Sequence, residues 1–327
     1  MQGGVLAMNQ TKKKQHYIWR NYLAPWTKEN SKTGCIFCLR GKKVFSVSLN
    51  NIAHENYFYG VKELSTLERD IIYTMTIKNS NGIQQKTNEG WLNLYCAAFD
   101  FADNIASCNS SNWGGFCRSE IVNSDDFKNW NTEQIENVHS QIEFTGMKYI
   151  SFLQQNDLCF WNNETDRDRF SFFLSHQYFR TKNTRDGIIA VFEKMKRDNS
   201  YFASIRPENM WLPLSLILAS NVGAYIANKL SAILLQAEDS CFVVGDQPVV
   251  NTFATFDMMT SPNDIELFYP ITPCSALLLT SNQDYSSGQI VKINSNEVRK
   301  YNVLEHRAAR ELLFAKNRSH LDPFVSS

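Results

Sequence analysis

The order of hydrophobic patterns along the 327 residues predicts an α+β fold, mainly α-helical, with a small mostly antiparallel sheet built from an N-terminal hairpin and C-terminal strands. Three observations carry this expectation. Helix-period patterns fill the middle of the chain, two β-type runs flank a Gly-containing turn at Gly41, and short β-type runs return after residue 240. Helices and strands segregated in this way favour α+β over a doubly wound sheet. The two ends would then close a single domain over residues 12–317. Residues 1–11 are expected to be a disordered extension, of which 1–7 would precede a native start at Met8, and residues 318–327 a flexible tail.

Residues 12–26 place Tyr17, Ile18, Tyr22 and Leu23 at the spacing of a short helix ended by Pro25. His16 and Arg20, four apart, would share one side of it. A lone His in that setting more often caps a helix or is satisfied in the core than does chemistry. Residues 35–39 and 43–52 read as a hairpin turning at Arg40-Gly41-Lys42. The chain then runs into Glu55, just past a strand end and beside Tyr57, Phe58 and Tyr59. A single Glu is by default a surface acid, and its place past a strand end among aromatics lifts Glu55 only slightly above that default. Cys35 and Cys38 have the spacing of a zinc knuckle, but no second close Cys or His pair follows. Positions three apart in a strand also face opposite sides, so structural zinc is not expected.

Helical patterns cover 64–78 and 91–107 with a loop at 79–90 between them. Loop chemistry marks 109–115 and 123–126, and a helix over 132–155 divides near Gly146. Residues 166–181 form the clearest helix, with Phe170, Phe173, Leu174 and Tyr178 as its core stripe. Gln177 and Arg180 are neighbours on its surface. An amide beside a guanidinium suits a phosphate or carboxylate, and equally suits a neighbouring backbone or an internal Asp. A short amphipathic helix follows over 188–197. Residues 210–236 are long enough to cross a bilayer. Asn221, Asn228 and Lys229 interrupt them, so they read as a buried helix with Pro213 in its first turn.

The most site-like stretch is 239–251, DSCFVVGDQPVVN. A buried β-type run breaks at Gly245-Asp246 and a Pro fixes the turn, which places a carboxylate at a strand end. After a loop at 252–263, β-type runs occupy 265–270, 276–280 and 289–293. A helix over 295–314 closes the chain, capped by Ser295 or Asn296, with Asn302, His306 and Arg310 on one face.

Lys plus Arg and Asp plus Glu number 33 each, which argues only against a whole-surface polyanion binder. Eight Cys sit mostly in apolar runs with no secretory signal ahead of them, which suits a reduced cytoplasm. No Ser-His-Asp motif, P-loop, HExxH or glycine fingerprint is present.

Six segments in order resemble one bacterial family. KQHYIWRNYLAPW is similar to its His-Tyr-x-x-x-x-Tyr-Leu opening, VFSVSLNNIAHENYFYG to its strand and Asn-Ile-Ala sequence, and FFLSHQYFRT to its helix ending Gln-x-x-Arg-Thr. CFVVGDQPVV resembles its Ser-Asp-Asn-Pro-Val turn, LFYPITPCSALLLT its Phe-Pro-Leu-Ser-Pro strand, and YNVLEHRAAREL its closing helix. The family is domain of unknown function 4238 (DUF 4238), and the resemblance spans about 13–317. Gly245 and Gln247 stand where the family has Ser and Asn, and Trp19 replaces a smaller residue. The resemblance implies a recurrent polar set of His16, Glu55, Gln177, Arg180 and Asp246.

Two functions follow as expectations. The first is an intracellular hydrolase acting on nucleic acid or nucleotide, as in a defence or toxin effector. His16, Glu55 and Asp246 would be catalytic, and Arg20, Gln177, Arg180 and Asn302 would hold substrate. No metal ligands are assigned, although a divalent metal would suit hydrolysis. The second is a non-catalytic binding or sensor component of an anti-phage or toxin–antitoxin module. Its partner would be nucleic acid, nucleotide or protein, with no membrane, and Arg180 would pair internally with Asp246.

Overall fold

The computed structural model describes residues 14–108, 117–257 and 260–325. The expected loop at 109–115 lies outside the described residues. The architecture is α+β, as the segregation of patterns implies.

Strand β1 (Lys14–His16) pairs antiparallel with β4 (His54–Asn56) in a two-stranded sheet. The expected helix over 12–26 is therefore wrong at its start. Three residues of strand precede a single helical turn, α1 (Arg20–Leu23), and a 3₁₀ turn at Ala24–Trp26. The hairpin is as expected, with β2 (Cys35–Arg40) and β3 (Lys43–Ser48) joined through Gly41 at φ +56°. Cys35 is exposed and Cys38 buried, on opposite faces of β2.

The helices are α2 (Thr66–Thr76), α3 (Gly82–Cys108), α4 (Arg118–Asn123), α5 (Asp125–Gln154), α6 (Glu164–Phe179), α7 (Lys182–Asp198) and α8 (Pro207–Lys229). Helix α2 opens with a capping box between Ser65 and Glu68. The expected loop at 79–90 is mostly the first turns of α3, and the expected loop at 123–126 is a single break at Ser124. Helix α5 does not divide at Gly146. There the glycine lets the Phe173 ring of α6 press onto the helix, in space that a Cβ would occupy. Helix α8 starts earlier than expected, with Pro207 in the first turn and Pro213 inside the helix, and it ends at Lys229. It is long and apolar enough to cross a membrane, yet most of it is buried within the fold.

Residues 231–236, expected as helix, instead begin strand β5 (Ser231–Ala237). The remaining strands are β6 (Val244–Gly245), β7 (Val250–Asn251), β8 (Leu267–Thr272), β9 (Ser275–Thr280) and β10 (Ile290–Ile293). A five-stranded sheet runs β10-β5-β9-β8-β7, antiparallel except for the parallel β10–β5 pair. Helix α9 (Ser295–Ala308) is capped by Asn294 in a box with Glu297, one residue before the expected caps. It stops short of 314, because β11 (Leu313–Ala315) inserts between β2 and β6. The N-terminal hairpin thus joins two C-terminal strands in a four-stranded sheet, while the other C-terminal strands form a sheet of their own. Residues 318–325, expected as a tail, pack Leu321 and Phe324 against Leu39 and Val243.

Side chains also bring the chain ends together. The Tyr22 hydroxyl donates to the Pro270 carbonyl at 2.7 Å, and Trp26 Nε1 donates to the Phe242 carbonyl at 3.0 Å. This anchorage fixes the N-terminal segment as one wall of the cleft described next.

Candidate functional site: a polar cleft beside a buried histidine pair

A cleft of about 330 Å³ opens between the N-terminal segment and α5. Its first wall carries His16, Trp19 and Arg20, with Lys32 and Asn50 beside them. The second wall is the face of α5 bearing Glu136, His139, Ser140 and Glu143. Those positions fall three and four apart and so lie on one side of a helix. Tyr59 and Arg180 complete the lining.

Arg180 anchors the cleft. It is buried, and every arm of its guanidinium is occupied. Nε donates to the Tyr59 hydroxyl at 2.8 Å, Nη2 to the His16 carbonyl at 2.8 Å, and Nη1 to the Glu143 carboxylate. Burial opposes its charge, but Tyr59 and Glu143 outweigh burial and raise its pKa above the ordinary value. Tyr59 is itself positioned by Gln15, whose side-chain oxygen accepts from the Tyr59 amide at 2.8 Å. Burial pushes the Tyr59 phenol up to about 12, against the lowering effect of Arg180.

His16 contacts the Leu49 carbonyl through Nε2 at 3.3 Å. A carbonyl can only accept, so Nε2 carries the proton and Nδ1 is left as an acceptor. Burial, then the charges of Arg20 and His54, lower its pKa to about 4. It is a neutral imidazole at pH 7. Arg20 bonds the Asn50 side chain.

The second imidazole of the lining is the one sequence reasoning missed. His139 Nδ1 lies 2.7 Å from His176 Nε2, so the two rings share one proton. The Tyr59 ring packs at 4.1 Å from His139. His139 is 3% exposed, and its Nε2 has no hydrogen-bond partner among the described residues. Burial, then His176 and Arg180, lower its pKa well below 6.5, and burial followed by Arg180 does the same for His176. A neutral imidazole with one nitrogen fixed and the other unpartnered can accept or donate a proton at that atom. The available signal in the sequence was the polar i, i+3, i+4, i+7 pattern at 136–143.

The other expected site residues lie elsewhere. Asp246 is 1% exposed and accepts from the backbone amides of Arg310 at 2.6 Å, Glu311 at 2.9 Å and Leu312 at 3.2 Å. Burial pushes its carboxyl up to about 6 against the effect of those amides. It clamps the turn between α9 and β11 and does not pair with Arg180. Asn302 bridges the Val243 amide and the Cys241 carbonyl, each at 2.9 Å. Glu55 is half-exposed and pairs with Lys182 at 3.3 Å and Arg185 at 3.2 Å. Gln177 is buried in α6 away from the cleft lining, and its Nε2 has no partner among the described residues. Arg310, expected on a helix face with Asn302 and His306, lies beyond α9 and reaches Asp186 at 2.9 Å. Gln177 and Asp246 do not line the cleft with His16 and Arg180. His16, Arg20 and Arg180 do meet, with His139 as their addition.

Among the described residues, no group of three or more His, Cys, Asp or Glu is placed to hold a metal ion. The sequence model of one family, described as "Protein of unknown function (DUF4238)", matches residues 14–319. No curated protein and no solved structure matches this chain.

Proposed function

This chain belongs to the DUF4238 family, whose name assigns no activity, and from that premise we propose that the polar cleft binds a small phosphate-bearing ligand of nucleotide size and hydrolyses it. In this reading Arg20 and Lys32 hold the anion, and the His139 imidazole moves the proton at Nε2, oriented by His176. His16, neutral at pH 7, offers a second acceptor. Arg180 binds no ligand and instead holds His16, Tyr59 and Glu143 in place. The observation that carries the reading is the buried Nε2 of His139, without a hydrogen-bond partner among the described residues, in a helix that lines a cleft together with Arg20 and Lys32. A buried polar atom without a partner is rare in folded proteins and has a use when a ligand supplies the partner. The protein would act in the cytoplasm as a single domain over residues 12–317.

A second reading is a binding or sensor component of a defence or toxin–antitoxin module. It is favoured by the complete internal engagement of Arg180, which leaves Arg20 and Lys32 as the lining cations without an ion pair among the described residues. The test is a panel of nucleoside mono-, di- and triphosphates and short RNA, assayed for binding and for product with the wild-type chain, Arg20→Gln and His139→Gln. Hydrolysis predicts turnover that His139→Gln lowers at least 100-fold while binding persists. Binding without turnover, lost in Arg20→Gln, selects the sensor reading. Absence of binding to the whole panel overturns both.

A further inference from the structure

A second, larger cavity lies at the α6–α7 junction. It measures about 610 Å³ and is walled by Tyr178, Ile188, Val249, Val250 and Ala308, with residues 254–257 and 260–262 at its edge. Its character differs from that of the cleft. Apolar side chains make up the larger part of the lining, beside polar ones such as Asn183, Gln247 and Asp257, and the size is within the range of small-molecule sites.

Three features of this cavity bear on what it could hold. Gly187 sits inside α7, where glycine is unfavourable relative to Ala. No tight approach requires it, because a Cβ there would meet nothing within 4 Å, and the missing side chain leaves the helix face open to the cavity. Phe256 occupies the left-handed region at φ +60°, unusual for an aromatic residue. In that position its ring lies beneath the Arg307 guanidinium, 4.5 Å from centroid to Cζ. Arg307, in turn, has neither an ion pair nor a hydrogen bond among the described residues. The result is a pocket of mixed lining, with Asp257 among its residues, and at its rim a guanidinium without an ion pair among the described residues is fixed over an aromatic ring.

We propose that this cavity is a second ligand site, separate from the polar cleft, for a small amphiphilic anion. The ligand has an aryl or acyl body lying along Gly187 and against Tyr178, Ile188 and Val249. Its carboxylate or sulfonate meets Arg307. Charge complementarity selects the anion, and the apolar part of the lining selects the body.

The probe is 8-anilinonaphthalene-1-sulfonate, an aromatic body with one sulfonate, titrated into the full chain with dye fluorescence as readout. Saturable 1:1 binding is expected, displaced by decanoate. Arg307→Gln should weaken it about tenfold, the scale of one lost charge-assisted contact. Gly187→Phe should abolish it by filling the cavity. Both variants are checked for an unchanged circular dichroism spectrum and melting temperature. Because Arg307 is exposed and outside the core, Arg307→Gln alone remains decisive if Gly187→Phe fails to fold. Dye binding that does not saturate, or that both folded variants leave unchanged, overturns the proposal.

Discussion

Arg180→Met removes the guanidinium that holds one side of the cleft while keeping most of the side-chain volume. In the wild type the charge satisfies three groups at once: the Tyr59 hydroxyl, the Glu143 carboxylate and the His16 carbonyl. Its side chain is 5% exposed and that of Glu143 is 20% exposed, so water replaces the lost bonds poorly. Breaking a buried pair from one side costs about 3–5 kcal/mol, because the remaining charge is stranded. For a domain stable by about 5–15 kcal/mol this is a large fraction. Urea unfolding followed by Trp fluorescence should therefore show the midpoint of Arg180→Met falling sharply at an unchanged m-value. Arg180→Met combined with Glu143→Gln should recover part of the loss, since no carboxylate is then stranded. If Arg180 were instead the cation that receives the ligand, Arg180→Met would leave stability within about 0.5 kcal/mol and abolish binding. That result would refute the assignment of Arg180 to the scaffold.

The remaining predictions concern packing, the turn clamp and pH. Gly146→Ala places a Cβ in the Phe173 ring and should lower stability by about 1–3 kcal/mol in the same urea experiment. Asp246→Ala leaves the amides of Arg310, Glu311 and Leu312 without their acceptor. After the relief of a buried charge is allowed for, it should still cost about 2–4 kcal/mol; unchanged stability with lost activity would return Asp246 to the site. His16, held at about 4, and His139 and His176, held well below 6.5, are neutral in the folded chain and take up protons near 6.5 in the unfolded one. Their folded values are depressed, so this contribution is full above about pH 6.5 and is lost as pH falls toward 4. The melting temperature should drop over that window, and His139→Gln should make the drop shallower.

The legible parts of the fold were those set by local pattern. Helix α6 follows from the spacing of Phe170, Phe173 and Leu174, and the β2–β3 hairpin from the positive φ that Gly41 accepts. The misread boundaries share a cause. Residues 210–236 are apolar throughout, and periodicity cannot divide a buried helix from the buried strand that follows it. Strand β1 exists because three residues pair with His54–Asn56, a contact invisible in a local window, and β11 likewise depends on finding β2 and β6. Of the candidate residues, His16, Arg20 and Arg180 stood out as polar residues among aromatics and do line one cleft, whereas Asp246 lies outside it and holds backbone amides. A carboxylate on a tight turn is as well suited to holding three backbone amides as to chemistry. His139 was missed because its partner His176 lies 37 positions away, on a different helix.

The central claim is that His139 Nε2 is the reactive atom of the cleft. It is tested most directly by ¹H–¹⁵N correlation of the histidine rings as a nucleoside 5′-monophosphate is titrated at pH 7. The account predicts a neutral His139 whose Nε2 resonance moves in a saturable manner, with His16 following and the distant His320 unmoved. A His139 resonance that stays fixed while the nucleotide binds elsewhere on the protein would contradict it.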